Sequence, residues 1–233
     1  MEPQSPLQMR IHGNDNPSVA AGGRAMTFHT ALAETIAVYD RSAAEFAART
    51  GDFWPERALR RFQEYAPAAA WVLDAGSGPG RDSRYLAGLG YRPVALDLSA
   101  GMLREGQWLG LTAHGAAAVQ GDLRRLPFAS RSFLGVWACA SLLHLLRHEL
   151  HAALTEFGRV LRAGCLYLAL KEGEGEGWQD GDYGPRFFTY YRPGQVAQAL
   201  QAAGFLVLES WVNDPGAGRQ PWLNYLAWHE EQT

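Results

Sequence analysis

One stretch constrains this chain more than any other: Trp71-Val72-Leu73-Asp74-Ala75-Gly76-Ser77-Gly78-Pro79-Gly80-Arg81-Asp82. Val72 and Leu73 beside alanines suit a strand covered on both faces. Glycines at alternate positions follow. Asp82 and Ser83 then suit the first turn of a helix that points Leu86 and Leu89 inward and stops at Gly90. A buried strand, a glycine turn and a helix in succession belong to α/β proteins with a parallel sheet. Lacking Cβ atoms, the glycines let the backbone turn tightly and a ligand lie against it, while the N–H groups opening the helix offer an anion site.

The spacing narrows the ligand. The pattern is G-x-G-x-G, whereas a dinucleotide fingerprint is G-x-G-x-x-G, and Arg81 stands where its third glycine belongs. Asp74 precedes the first glycine by two residues. A pyrophosphate gains nothing from a carboxylate there, but a ligand with an ammonium group does. This acid with Gly76, Gly78 and Gly80 resembles the first motif of the class I S-adenosylmethionine-dependent methyltransferases.

The next strands carry more. Asp97 ends a strand and is placed to accept both hydroxyls of a ribose; a dinucleotide enzyme also wants an acid here. Asp122 ends the following strand beside the N–H of Leu123, a pair that matches the exocyclic amine and adjacent ring nitrogen of adenine. The resemblance implies S-adenosyl-L-methionine as cofactor and S-adenosyl-L-homocysteine as product. It assigns cofactor contacts to Tyr39, Asp74, Gly76, Ser77, Gly78, Gly80, Arg81, Asp97, Leu98, Met102, Asp122, Leu123 and the Ala138 carbonyl. Leu134 stands where the family usually has an acid. That acid takes no part in the chemistry.

On the acceptor side, His144 is read as a general base, with a packing histidine at a helix entrance as the alternative. Tyr190 is named beside His144 as a catalytic candidate, and Tyr190 and Tyr191 are read as a pocket wall or as core. The run His144 to His151 has its last two histidines three apart, so it lacks the metalloprotease spacing and no metal site is expected. Between Lys171 and Gly184, Glu172, Glu174, Glu176, Asp180 and Asp182 alternate with glycines. This segment is expected to be a loop, either a lid that favours a cationic or amine-bearing acceptor or a merely solvated stretch. Lys171 to Glu176, Arg186 to Tyr191 and Trp222 to Asn224 extend the resemblance, from about residue 30 to 228, to a bacterial subgroup whose acceptors are often unassigned.

Elsewhere the chain fills out one domain. Residues 1–26 read as a flexible extension, with Met26 a possible start, and 27–233 as a single domain. A helix over 28–49, broken near Asp40, and one over 55–65 are expected to cover the site. Arg57, Arg60 and Arg61 would mark a solvated face. Strands are expected near 91–97, 116–119, 133–140, 165–170, 205–212 and 222–228, with helices between, from about 148 to 161 and 193 to 203 among them. The fold class is therefore α/β: a Rossmann-like, mainly parallel seven-stranded sheet with helices on both faces and an antiparallel edge strand.

A net charge of −3 makes no case for nucleic acid. Cys139 and Cys165 read as buried reduced thiols, and no leader or long uncharged span is visible, so a cytoplasmic protein, monomeric or weakly dimeric, is expected. The function read from these residues is methyl transfer to an O or N of a small-molecule acceptor. The alternatives are a non-catalytic S-adenosylmethionine-binding sensor or partner subunit and, further off, an RNA or protein methyltransferase.

Overall fold

A computed structural model describes residues 29–51, 55–213 and 220–230. The expected extension over 1–26 lies outside the described residues. In chain order the elements are α1 His29–Thr50, α2 Glu56–Tyr65, β1 Trp71–Ala75, α3 Arg81–Gly88, β2 Arg92–Asp97, α4 Ala100–Trp108, β3 Ala117–Gln120 and β4 Phe133–Cys139. Then follow α5 Leu150–Val160, β5 Leu161–Lys171, β6 Glu176–Gln179, β7 Arg186–Thr189, α6 Pro193–Ala202, β8 Phe205–Asn213 and β9 Trp222–His229.

Seven strands make one sheet in the order β3-β2-β1-β4-β5-β9-β8, and β6 and β7 form a separate pair. β3, β2, β1, β4 and β5 are mutually parallel, while β9 runs antiparallel to both β5 and β8. The chain builds outward from β1 in one direction through β2 and β3, then restarts on the other side with β4. That reversal opens a crevice at the strands' carboxyl ends, where α/β sheets bind ligands.

The period of two along each strand splits the core between two faces. Leu73, Val136, Leu166 and Leu168 meet Leu154 and Phe157 of α5 and Val196 and Leu200 of α6. Val72, Trp137 and Tyr167 meet Leu59 and Phe62 of α2 and Leu86 of α3. Each such buried side chain contributes roughly 1.5–3 kcal/mol. Gly135 stands within β4 for a steric reason: a Cβ there would come within 2.7 Å of Phe62. Among the described residues no helix is long and apolar enough to cross a membrane.

Several local expectations are corrected. α1 is not broken at Asp40; the residue continues the helix, and its Oδ1 accepts hydrogen bonds from Ser99 Oγ and Gly101 N, each 2.7 Å. α1 is thereby tied to the start of α4, whose N-cap is Ser99 as expected. Gly101 makes the contact possible, since a Cβ would sit 2.5 Å from the Asp40 carbonyl oxygen. α5 starts at Leu150 after a tight turn over Arg147–Glu149, and β5 begins at Leu161, directly where α5 ends. The acidic segment is not all loop: β6 pairs antiparallel with β7, from Glu176 opposite Thr189 to Gln179 opposite Arg186. Arg147 anchors it, donating from Nη2 to the carbonyls of Gly175 and Tyr190 at 3.0 and 2.7 Å. The α2 arginines are also not simply solvated. Arg57 and Arg61 pair with Glu209 of β8, and the Arg57 guanidinium lies 4.6 Å from the Trp211 ring centre.

Candidate functional site

The loop after β1 is held in a fixed shape. Gly76 N and Ser77 N both donate to the Leu96 carbonyl, at 2.8 and 3.0 Å, and Gly78 N donates to Asp97 Oδ2 at 2.8 Å. Ser99 N takes the other Asp97 oxygen at 2.8 Å. Gly76, Gly78 and Gly80 all have positive φ, at 78°, 54° and 74°. Gly76 also faces the turn after β4 so closely that a Cβ would lie 2.2 Å from Ser141 Cβ. Both constraints exclude larger residues.

This loop forms one wall of a cavity of about 1030 Å³. Tyr39, Asp74, Gly76, Ser77, Gly78, Arg81, Asp97, Leu98, Met102, Asp122, Leu123 and His144 all line it. Three expected residues do not: Gly80, Ala138 and Tyr190. Gly80 makes the left-handed turn into α3, where a Cβ would meet Leu111 at 2.5 Å. Ala138 sits in the core with Leu73 and Val136, and the wall passes instead to Cys139, Ala140 and Ser141. The Tyr190 ring stacks on Phe188, 6.4 Å between centres, and Tyr191 is buried core.

Asp74 is 2% exposed and accepts a hydrogen bond from Ser83 Oγ at 2.6 Å. Burial, with the charge of Asp82 added, pushes its carboxyl well above the usual carboxylate range. A cation beside it would reverse that. Ser141 Oγ, at the same wall, is buried with no hydrogen-bond partner. An acid in want of a positive charge and an orphaned hydroxyl beside a glycine loop fit the ammonium-bearing end of an S-adenosylmethionine molecule. Asp82 also lines the cavity, accepting from Arg81 Nε at 2.6 Å and from Trp137 Nε1 at 2.9 Å. Sequence reasoning took it only for a helix-start residue, because Trp137 reaches it from β4, 55 positions away.

Asp97 is half-buried. Burial raises its pKa, and the backbone N–H groups of Ser99 and Gly78 work against that rise. Asp122 differs: burial opposes its charge too, but Arg124's hydrogen bonds and charge prevail and hold it below the usual range. Arg124 also pairs with Glu149, so the end of β3 is braced against the turn before α5.

His144 is largely buried between partners. Its Nδ1 lies 2.7 Å from the Phe187 carbonyl, which can only accept, so Nδ1 carries the proton. Nε2 therefore accepts from the Tyr39 hydroxyl at 2.8 Å, and that hydroxyl in turn accepts from Arg186 Nη1 at 3.0 Å. Burial, with Arg186 and Lys171 adding like charge, pushes the imidazole down to about 3. It is neutral. Lys171 and Arg186 line this end of the cavity, and none of Glu172, Glu174, Glu176, Asp180 and Asp182 does. Glu174 pairs with Arg192 and Asp182 with Arg49. The cationic-acceptor expectation thus loses its footing. Lys171 and Arg186 were noted in the sequence only as marks of kinship; no local pattern shows that the β6–β7 pair brings them together. Among the described residues no group of three or more His, Cys, Asp or Glu is placed to hold a metal.

A model of the family described as "Methyltransferase domain" matches residues 72–164. The chain is 33% identical over 188 residues to a malonyl-[acyl-carrier protein] O-methyltransferase of Herminiimonas arsenicoxydans, covering 75% of this chain and 68% of that protein. It is 32% identical over 114 residues to a demethylmenaquinone methyltransferase of Thermobifida fusca, 48% of this chain and 47% of that one. Of other curated relatives it spans less than half, 39%, 36% and 48% in three cases. The fold superimposes on 1,6-didemethyltoxoflavin-N1-methyltransferase of Burkholderia thailandensis, solved with bound 1,6-didemethyltoxoflavin and S-adenosylhomocysteine. The TM-score is 0.74 at 21% identity, covering 91% of this chain and 94% of that chain. Fold, site and kinship define a Rossmann-like methyltransferase, and the chain belongs to the S-adenosylmethionine-dependent methyltransferase family.

Proposed function

We propose that this protein is an S-adenosylmethionine-dependent methyltransferase acting on a small-molecule acceptor, with oxygen or nitrogen as the methylated atom. The observation that carries the reading is one cavity lined both by Asp74, Asp97 and Asp122, at three successive strand ends, and by residues of β5, β8 and β9, a part called the second lobe. In this reading Asp74 and the Gly76–Gly78 loop hold the amino acid end of the cofactor, Asp97 its ribose, and Asp122 with the Leu123 N–H its adenine. Tyr39, Ser77, Arg81, Leu98 and Met102 complete that wall, and Ser141 and Ala140 replace Ala138 on the β4 side.

The cofactor supplies an intrinsically reactive sulfonium methyl. What remains for the chain is to hold the acceptor in line and keep water out. α1 closes one side of the cavity through Leu32, Ile36 and Phe46, and the β7 residue Phe188 another. His144, neutral and engaged at both nitrogens, positions the Tyr39 hydroxyl. The relatives named for malonyl-[acyl-carrier protein] and for demethylmenaquinone support a non-nucleic-acid acceptor. Unpaired Cys139 and Cys165 suit a reducing, cytoplasmic setting. The test is turnover: protein incubated with S-adenosylmethionine and pools of small organic acceptors should form S-adenosylhomocysteine only with particular pools. Tight S-adenosylhomocysteine binding without turnover in any pool would favour a sensor or partner subunit instead.

A further inference from the structure

We infer that the lobe over β5, β8 and β9 binds an acceptor that arrives as an oxygen anion, held by Lys171 and Arg186. This rests on the methyl-transfer reading and names the acceptor class within it. Both cations lie against one ring: Lys171 Nζ is 4.2 Å and the Arg186 guanidinium carbon 5.3 Å from the centre of Phe188. Two positive groups around one ring repel each other, and a pair of this kind is stable only with an anion nearby or at a cost in stability. Among the described residues neither has a carboxylate partner. Arg186 makes one hydrogen bond, to the Tyr39 hydroxyl, and its buried Nε has no acceptor. The guanidinium is otherwise walled by the rings of Tyr39, Tyr183 and Phe188, 5.2–5.4 Å away. Burial, with Arg186 contributing, lowers the Lys171 ammonium's pKa, as expected of a cation without a counterion.

At the same end of the cavity His144 is not free to act as a base. His144 has Nδ1 bonded to the Phe187 carbonyl and Nε2 to Tyr39, so neither nitrogen is open to a substrate proton. An alcohol or an ammonium acceptor would need that proton removed. An oxygen that arrives already deprotonated does not. A bond forms from this oxygen to the methyl carbon, the carbon–sulfur bond of the sulfonium breaks with its pair going to sulfur, and the two charges cancel. Carboxylates and acidic phenols or enols share this chemistry. Phe188, Trp211 and Trp222 give the lobe an aromatic lining suited to a flat or apolar body behind the charged end.

The test uses binding to the full chain saturated with S-adenosylhomocysteine, followed by calorimetry. Phenylacetate and 4-nitrophenolate serve as the two oxyanion arms, with phenylacetamide and phenethylammonium as neutral and cationic counterparts. At least one oxyanion should bind about tenfold tighter than the amide, the scale of a hydrogen bond to a charged group, and the ammonium should bind worst. The arm that wins separates carboxylate from phenolate. Lys171→Gln should abolish the preference and raise the melting temperature of the ligand-free chain, since it relieves the repulsion, and Lys171→Arg should keep the preference, while the S-adenosylhomocysteine affinity of both stays as in the parent. An ammonium probe that binds as well as the oxyanions, no preference among the four, or a preference that survives Lys171→Gln would overturn the inference. Failure of S-adenosylhomocysteine itself to bind would instead bring down the methyltransferase reading beneath it.

Discussion

Asp97 shows how one side chain carries two duties. Its oxygens accept from Gly78 N and Ser99 N, so it shapes the glycine loop and starts α4 while still facing the cavity. Asp97→Ala should therefore weaken S-adenosylhomocysteine binding by about 1.5–3 kcal/mol and also lower the melting temperature. Calorimetry and a thermal melt read the two effects separately, and a lower melting temperature with unchanged affinity would leave Asp97 a purely structural role. From sequence alone the residue reads as a strand end placed for a ribose; its hydrogen bonds to the loop were invisible there. His144 makes a pH prediction. Its imidazole is held near 3 in the folded chain, mainly by burial, against roughly 6.5 when unfolded. Below about 6.5 the unfolded chain takes up a proton that the folded one refuses. The stability associated with neutral His144 is thus complete above that pH and is lost as the pH falls toward about 3, at up to about 1.4 kcal/mol per unit. Between pH 7 and 5, the unfolding free energy read by urea titration should fall by about 2 kcal/mol more in the parent than in His144→Gln. Equal losses in both proteins would mean that the imidazole is not the buried neutral group its partners imply.

At the scale of elements, α1 decides how the site is closed. A strong helical pattern is legible over 28–49, but the polar Asp40 in its middle looks like a break when no neighbour is in view. Its partners, Ser99 and Gly101, are about sixty positions away. Asp40→Ala should loosen α1 from α4 and cost about 1 kcal/mol, the usual loss for a helix cap, with S-adenosylhomocysteine binding weakened because Tyr39 and Phe46 hang from the same helix. Gly101→Ala attacks the contact from the other side and should cost about 1–3 kcal/mol, since backbone must move to admit the methyl. Denaturant titration of the two variants checks both, and an unaffected Gly101→Ala would show that α1 and α4 do not meet so closely. The β6–β7 pair was illegible for a different reason: Glu-Gly repeats carry no strand propensity. It forms because Arg147, Thr35 and Leu145 hold it from outside, through Gly175, Phe187 N and Thr189 Oγ1.

For the molecule as a whole, the parallel sheet and the strand-end acids proposed to hold the cofactor were readable because they are written locally. Glycine loop, Asp97 and Asp122 each close a strand, and one topological rule places strand ends together. The acceptor half was not. Lys171, Arg186, Trp211 and Trp222 come from four strands, three of them added after the parallel core, and they converge only through the antiparallel return of β9 and the separate β6–β7 pair. Everything proposed for that half depends on S-adenosylmethionine occupying the other. The most direct measurement is calorimetric titration of the full chain with S-adenosylhomocysteine and, in parallel, with NAD. The expected result is one S-adenosylhomocysteine bound per chain, weakened by Asp97→Ala, and no heat from NAD. Tight NAD binding with no S-adenosylhomocysteine binding would contradict it.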